Sequence, residues 1–170
     1  MNVKLIGAIL IIAGCGSVGF SMAMSHRREE NALRQLIRAL DYMGCELQYH
    51  LTPLPDLCRS AAGESGGTIS QVLLKLASEL DAQIAPDASV CMNAAIGAVP
   101  KLPHKAGRIL QTLGGTLGRF DLQGQLSGLD EARIQCRREL DGLTENRDVR
   151  LRSYQTLGLC AGSALAILFF

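Results

Sequence analysis

Formal charge is confined to the middle of this chain: apart from Lys4, every Lys, Arg, Asp and Glu lies between Arg27 and Arg152. With Lys4 set aside, the 17 basic residues leave 16 in that interior against 16 acidic ones. A neutral interior has no concentrated basic face, which excludes the usual electrostatic footprint of a nucleic-acid binder. Both ends are apolar. The pattern predicts three parts: a transmembrane anchor at 3–24, a helical domain at 27–152 and a second transmembrane anchor at 154–170.

The first run, Leu5 to Met24, is about 20 residues long and at 1.5 Å per residue matches a hydrocarbon core of about 30 Å. The second, Thr156 to Phe170, reaches only about 22 Å by the same rise. Tyr154 and local bilayer thinning would have to complete that span. A buried core helix is the other reading of this segment.

Ile12-Ala13-Gly14-Cys15 also fits a bacterial lipoprotein signal, in which Cys15 would be lipidated after cleavage. Val18, Phe20, Met22 and Met24 carry the apolar run past Cys15, which favours an uncleaved anchor. Orientation follows from the flanks. His26, Arg27 and Arg28 follow the first run, and Arg147, Arg150 and Arg152 precede the second. The positive-inside rule therefore places the domain between them in the cytoplasm, with both termini outside. Cysteines at 15, 45, 58, 91, 136 and 160 form no CxxC and suit a reducing compartment as small apolar side chains.

Within the interior the periodicity is helical. Leu33, Leu36, Ile37, Leu40, Met43, Leu47 and Leu51 form one face of a helix continuing from the first anchor. Thr52 is expected to cap a second helix with Pro53 at its first position, ending near Gly63 before a Gly66-Gly67 loop. A third helix, about 69–84, turns Val72, Leu73, Leu76, Leu80 and Ile84 inward. Asp87 caps a fourth, to about Val99. A fifth carries Ile109, Leu110, Leu113 and Leu117 to Gly118.

Asp121 caps the last and longest helix. Its seam of Leu122, Leu126, Leu129, Cys136, Leu140 and Leu143 is interrupted by Arg133. The fold class expected is all-α: two long antiparallel helices continuous with the anchors, plus about three short ones. In the anchors, Gly158, Gly162 and Ala166 share one face, as do Gly7, Cys15, Gly19 and Ala23. These small-residue faces would meet within one chain or between copies in a homo-oligomer.

A search for chemistry finds no catalytic, cofactor or metal constellation. His26, His50 and His104 lack ligand partners one turn away, and His50 is off the face of Cys45. Gly114-Gly115-Thr116-Leu117-Gly118 has no following Lys-Ser/Thr, so it is no phosphate loop. Neither Asp130-Glu131 nor Glu29-Glu30 can converge on one site from a helix. The chain is expected to be no enzyme and to take no small-molecule substrate.

Several blocks carry a resemblance: Lys4-Leu5-Ile6-Gly7-Ala8, Leu51-Thr52-Pro53-Leu54-Pro55, and Leu113-Gly114 with Leu117-Gly118, Asp121 and Gln125. The closing Tyr154, Leu157-Gly158 and the Gly162 tail complete the set. In order and spacing the whole chain resembles the stage III sporulation protein AB family. The soluble part of that family is similar to the platform protein of type II secretion and type IV pilus machines. The resemblance implies a helical bundle facing the mother-cell cytoplasm, anchored in the outer membrane around the forespore. It also implies a place in the channel complex between the two cells, with a secretion-type ATPase and the other channel membrane proteins as partners.

Two departures stand out. Asp56 replaces the Glu that often follows the Thr-Pro-Leu-Pro block, and Arg133, Arg137 and Arg138 make the middle of the last helix basic where the family is more acidic. No binding residue is carried over on that ground. For Thr52, Pro53, Gly118, Asp121 and Gln125, capping and chain breaks are the first reading and partner contact the second.

Overall fold

The computed structural model describes the backbone at 2–50, 52–82, 87–118 and 121–169, and side chains at 24–50, 52–82, 87–118 and 121–145. Six helices follow one another: α1 Asn2–His50, α2 Leu54–Ser65, α3 Gly67–Asp81, α4 Ala88–Gly97, α5 His104–Gly114 and α6 Leu122–Phe169. No strand occurs among the described residues. Four short helices, rather than about three, join the two long ones. Each of the four corresponds to a helix that the sequence marks out singly, α4 among them, so the difference lies in the total and not in any one element.

Contacts fix the direction of each helix. Arg38 of α1 donates to the Ser65 carbonyl (3.2 Å) at the end of α2, and Gly67, opening α3, lies against Gln35 of α1. Arg59 near the start of α2 pairs with Asp81 at the end of α3. Gly114 at the end of α5 packs on Met92 and Ser89 of α4, while Gly107 reaches Ile96. Lys105 meets Glu139 of α6 at 2.9 Å, and Thr116 lies against Gly128. The chain therefore runs up and down, and α1 and α6 are antiparallel. The α1–α2, α3–α4 and α5–α6 connections all lie at one end, called here the tip. Residues 2–23 and 146–169 lead away from it.

The core is the sum of the stripes that the 3.6-residue period marks out. Leu33, Leu36, Leu40, Met43 and Leu47 of α1 are buried, as are Val72, Leu73 and Leu76 of α3 and Ile109, Leu110, Leu113 and Leu117 around α5. Burying such side chains is worth about 1.5–3 kcal/mol each, which dominates the stability of a bundle whose helices are mostly short. Leu51 and Ile84 lie outside the described residues. The α6 seam holds at Leu129 and Cys136, but Leu122 is 38% exposed at the tip, where the facing helix has ended.

Helix ends differ from expectation in two places. Thr52 does not cap α2: its hydroxyl donates to Glu46 Oε1 (3.0 Å), one helical turn back in α1. Pro53 stands at the cap position instead of the first turn, and its carbonyl accepts from Leu57 N at 2.9 Å. The α2–α3 break shrinks to the single residue Gly66, at φ +74°, with α3 starting at Gly67 itself. Asp87 and Asp121 cap as the sequence predicts, accepting from Ser89 N (3.2 Å) and Gly124 N (3.1 Å).

Among the described residues no helix is long and apolar enough to cross a membrane. The anchors expected at 3–24 and 154–170 fall, save for Met24, outside the residues whose side chains are described, and so do Cys15 and the two small-residue faces.

Candidate functional site

Of the five residues weighed as cap or contact, Thr52, Gly118 and Gln125 line one cleft at the tip, and Pro53 and Asp121 flank them in the chain. A cleft of about 240 Å³ is lined by Leu47 of α1, Thr52 and Leu54 at the α1–α2 turn, and Gly118, Leu122 and Gln125 at the entry to α6. Two blocks more than sixty residues apart in sequence, Thr52-Pro53-Leu54 and Gly118 to Gln125, thus build one concave surface.

Each wall has a local cause. Proline at 53 and 55 forces the chain out of α1 and restarts it as α2, since neither can donate a helical hydrogen bond. Thr52 and His50 are both drawn to Glu46, whose two oxygens take the Thr52 hydroxyl and His50 Nδ1 (3.4 Å). This small network fixes the last turn of α1. On the opposite wall, Gly118 adopts φ +73°, a left-handed conformation that costs other residues about 1 kcal/mol or more. That turn swings the chain toward Asp121, whose side chain and carbonyl hold Gly124 N and Gln125 N (3.0 Å).

Behind the cleft the packing is tight. A Cβ on Gly114 would sit 2.7 Å from Met92 Cβ, and one on Gly128 would sit 2.6 Å from Thr116 Oγ1. The α4–α5 and α5–α6 contacts are therefore made at backbone range. In the cleft wall Leu122 is 38% exposed, whereas Tyr49, 74% exposed, is two residues past Leu47 and on the opposite face of α1, turned away from the cleft.

The cleft offers apolar walls from Leu47, Leu54 and Leu122 and polar groups from Thr52 and Gln125. Among the described residues no three His, Cys, Asp or Glu side chains stand together as metal ligands. The buried thiols are held protonated: burial pushes Cys58 up to about 12 against a smaller pull from Arg59, and burial with the Glu139 charge pushes Cys136 to about 12. A thiol of that pKa is no nucleophile at neutral pH.

A second groove, of about 220 Å³, runs between the long helices and is lined by Leu40, Asp41, Gly44, Cys45, Gln48 and, from α6, Leu126, Leu129, Asp130 and Arg133. Arg133 spans it to Asp41 at 3.3 Å. The break in the seam is thus a polar link between α1 and α6.

Comparison with known proteins agrees with this architecture. A solved structure titled stage III sporulation protein AB (SpoIIIAB) superposes with a TM-score of 0.64, at 20% identity, over 72% of this chain and 98% of that one. At that identity the likeness shows the fold. A comparison with curated proteins finds no match. The sequence model of Spore_III_AB, the stage III sporulation protein AB family, matches residues 4–170. With nearly its whole length matched, the chain belongs to the stage III sporulation protein AB family.

Proposed function

We propose that this chain is a non-enzymatic membrane platform of the sporulation channel between mother cell and forespore, and that its tip receives a secretion-type ATPase. The observation that carries the reading is the convergence at the tip. Of the blocks that carry the family resemblance, the two in the interior meet here: their described residues Thr52, Leu54, Gly118 and Gln125 line one cleft at the end of the bundle where α1 gives way to α2 and α6 begins, the end away from which the runs 2–23 and 146–169 lead. A cytoplasmic partner approaching a protein held by those runs would meet the tip first. Leu122, exposed in the wall of a concave apolar cleft, suits a protein contact.

In this reading both termini lie outside, both runs cross the outer membrane around the forespore, and the 27–152 domain faces the mother-cell cytoplasm. Arg27, Arg28, Arg147, Arg150 and Arg152 support that orientation. The test is genetic and biochemical. Leu122→Arg at the tip is expected to abolish co-purification of the ATPase and lower spore yield at least tenfold, with the protein still present in the membrane. Normal spore formation after deletion of the gene would sink the proposal.

A further inference from the structure

The interior is neutral in sequence, but the fold separates its charges. The tip gathers the ends of α1, α3 and α5 and the starts of α2, α4 and α6. Among the described residues there, Glu46, Asp56, Asp81, Asp87 and Asp121 are acidic and Arg59 is the one basic side chain, with His50 counted neutral. Glu79, also in the last turn of α3, is balanced by Lys75 at 3.2 Å. Arg59 is shared between Asp56 (2.6 Å) and Asp81, so that trio keeps a net negative charge. Arg119, which lies outside the described residues, could offset only one charge more.

These carboxylates surround the cleft. Glu46 accepts from Thr52, Asp56 follows Leu54 by two residues, and Asp121 precedes Leu122, and all three partners line the cleft. Asp87 precedes Ala88, which a Cβ on Gly118 of the cleft wall would meet at 3.9 Å. Helix dipoles leave this charge standing, because as many helices end at the tip as begin there. Capping accounts for Asp87 and Asp121. It does not account for Asp81, the last residue of α3, or for Glu46, a turn before the end of α1. Both face the negative end of their own helix, against local preference, as residues at functional surfaces do.

We propose that the tip cleft takes a basic segment of a partner protein, rich in Lys or Arg, whose apolar side chain enters between Leu47, Leu54 and Leu122. The tip as docking end is the reading on which this rests, and what is added is the chemistry of the segment that docks. Desolvation of Leu122 and its neighbours supplies affinity. The surrounding carboxylates draw a cationic segment in and turn an acidic one away, an effect chiefly on the association rate and one that salt weakens.

The test uses the full-length chain in phosphatidylcholine nanodiscs, with binding to empty discs subtracted. The probes are a short amphipathic helical peptide of Lys and Leu, the same peptide with Glu in place of Lys, and the secretion-type ATPase. Glu46→Gln, Asp87→Asn and Asp121→Asn combined remove charge while keeping an oxygen at each hydrogen bond. The wild-type chain is expected to bind the Lys–Leu peptide at least tenfold more tightly than the Glu–Leu peptide, and Leu122→Arg to abolish that binding. The combined variant, at an unchanged melting temperature, should lose the preference. Raising the salt should shrink it in the wild type as well, a readout that needs no substitution. The ATPase should associate with the combined variant at least tenfold more slowly at low salt. Equal binding of the two peptides, a preference that neither salt nor the combined variant reduces, or ATPase association that the variant leaves unchanged would overturn the inference. A peptide preference that holds while the wild-type chain binds no ATPase would sink the ATPase assignment and leave a basic partner in its place.

Discussion

Arg133 of α6 donates to Asp41 of α1 across 92 positions of sequence, and to Asp130 one turn back on its own helix. The three side chains are 38–53% exposed, and Arg133 Nε is enclosed without a partner. The arrangement fixes alignment at modest gain in stability, since exposed pairs contribute about 0–1 kcal/mol. Arg133→Leu, which completes the seam between Leu129 and Cys136, is expected to shift stability by less than about 1 kcal/mol. Asp41→Lys should cost more than Asp41→Asn, because it opposes a like charge. Thermal unfolding of the full chain checks both.

Two glycines should respond to alanine with opposite sign. A Cβ on Gly44 meets nothing within 4 Å, so Gly44→Ala in mid-helix is expected to stabilise by about 0.5–1 kcal/mol. Gly114→Ala drives a methyl against Met92 Cβ and should destabilise by about 1–3 kcal/mol. Denaturant midpoints measured side by side would show the contrast.

At the tip, Gly118→Ala should cost about 1 kcal/mol or more, while Gly118→Asn recovers part of it because Asn tolerates positive φ. The neighbours that an added Cβ would meet, Leu54 and Ala88, are at ordinary contact range of 3.8 and 3.9 Å. The cost is therefore conformational, and the Ala-to-Asn difference in melting temperature isolates it.

The thiols give a pH prediction. Cys58 and Cys136 have folded pKa values raised from 9 to about 12, so the folded state holds protons that the unfolded state releases. Their contribution is fully present below about pH 9 and is lost as pH rises from 9 toward 12. At pH 8 a maleimide should modify Cys45, which is exposed, and spare buried Cys58, Cys91 and Cys136 until the protein unfolds. Cys45 is accordingly the thiol with which an impermeant reagent would report the side of the membrane, whereas Cys58 and Cys91, which the sequence alone offers equally, are shielded.

Much of the fold was legible because it is local. Leu33 to Leu47 and Ile109 to Leu117 repeat at helical spacing, and Asp87 and Asp121 sit where a carboxylate finds free amides. Thr52 was misread because its hydroxyl, expected to accept from an amide of α2, instead donates to Glu46, six residues back near the end of α1. The residues of the tip cleft were legible one by one, with partner contact as a second reading for Thr52, Gly118 and Gln125, but their convergence was not. Thr52 and Gly118 carry no mutual signal in sequence and meet only because four short helices fold back between two long ones.

The up-and-down course of the chain has a consequence of parity. With an even number of helices among the described residues, the chain enters α1 and leaves α6 at the same end, which is what the proposed anchoring at both ends requires. Deleting any one of α2 to α5 would leave an odd count and turn the last helix around. Variation in this architecture must then come in hairpins, two helices gained or lost together, with one connection at the tip created or removed each time.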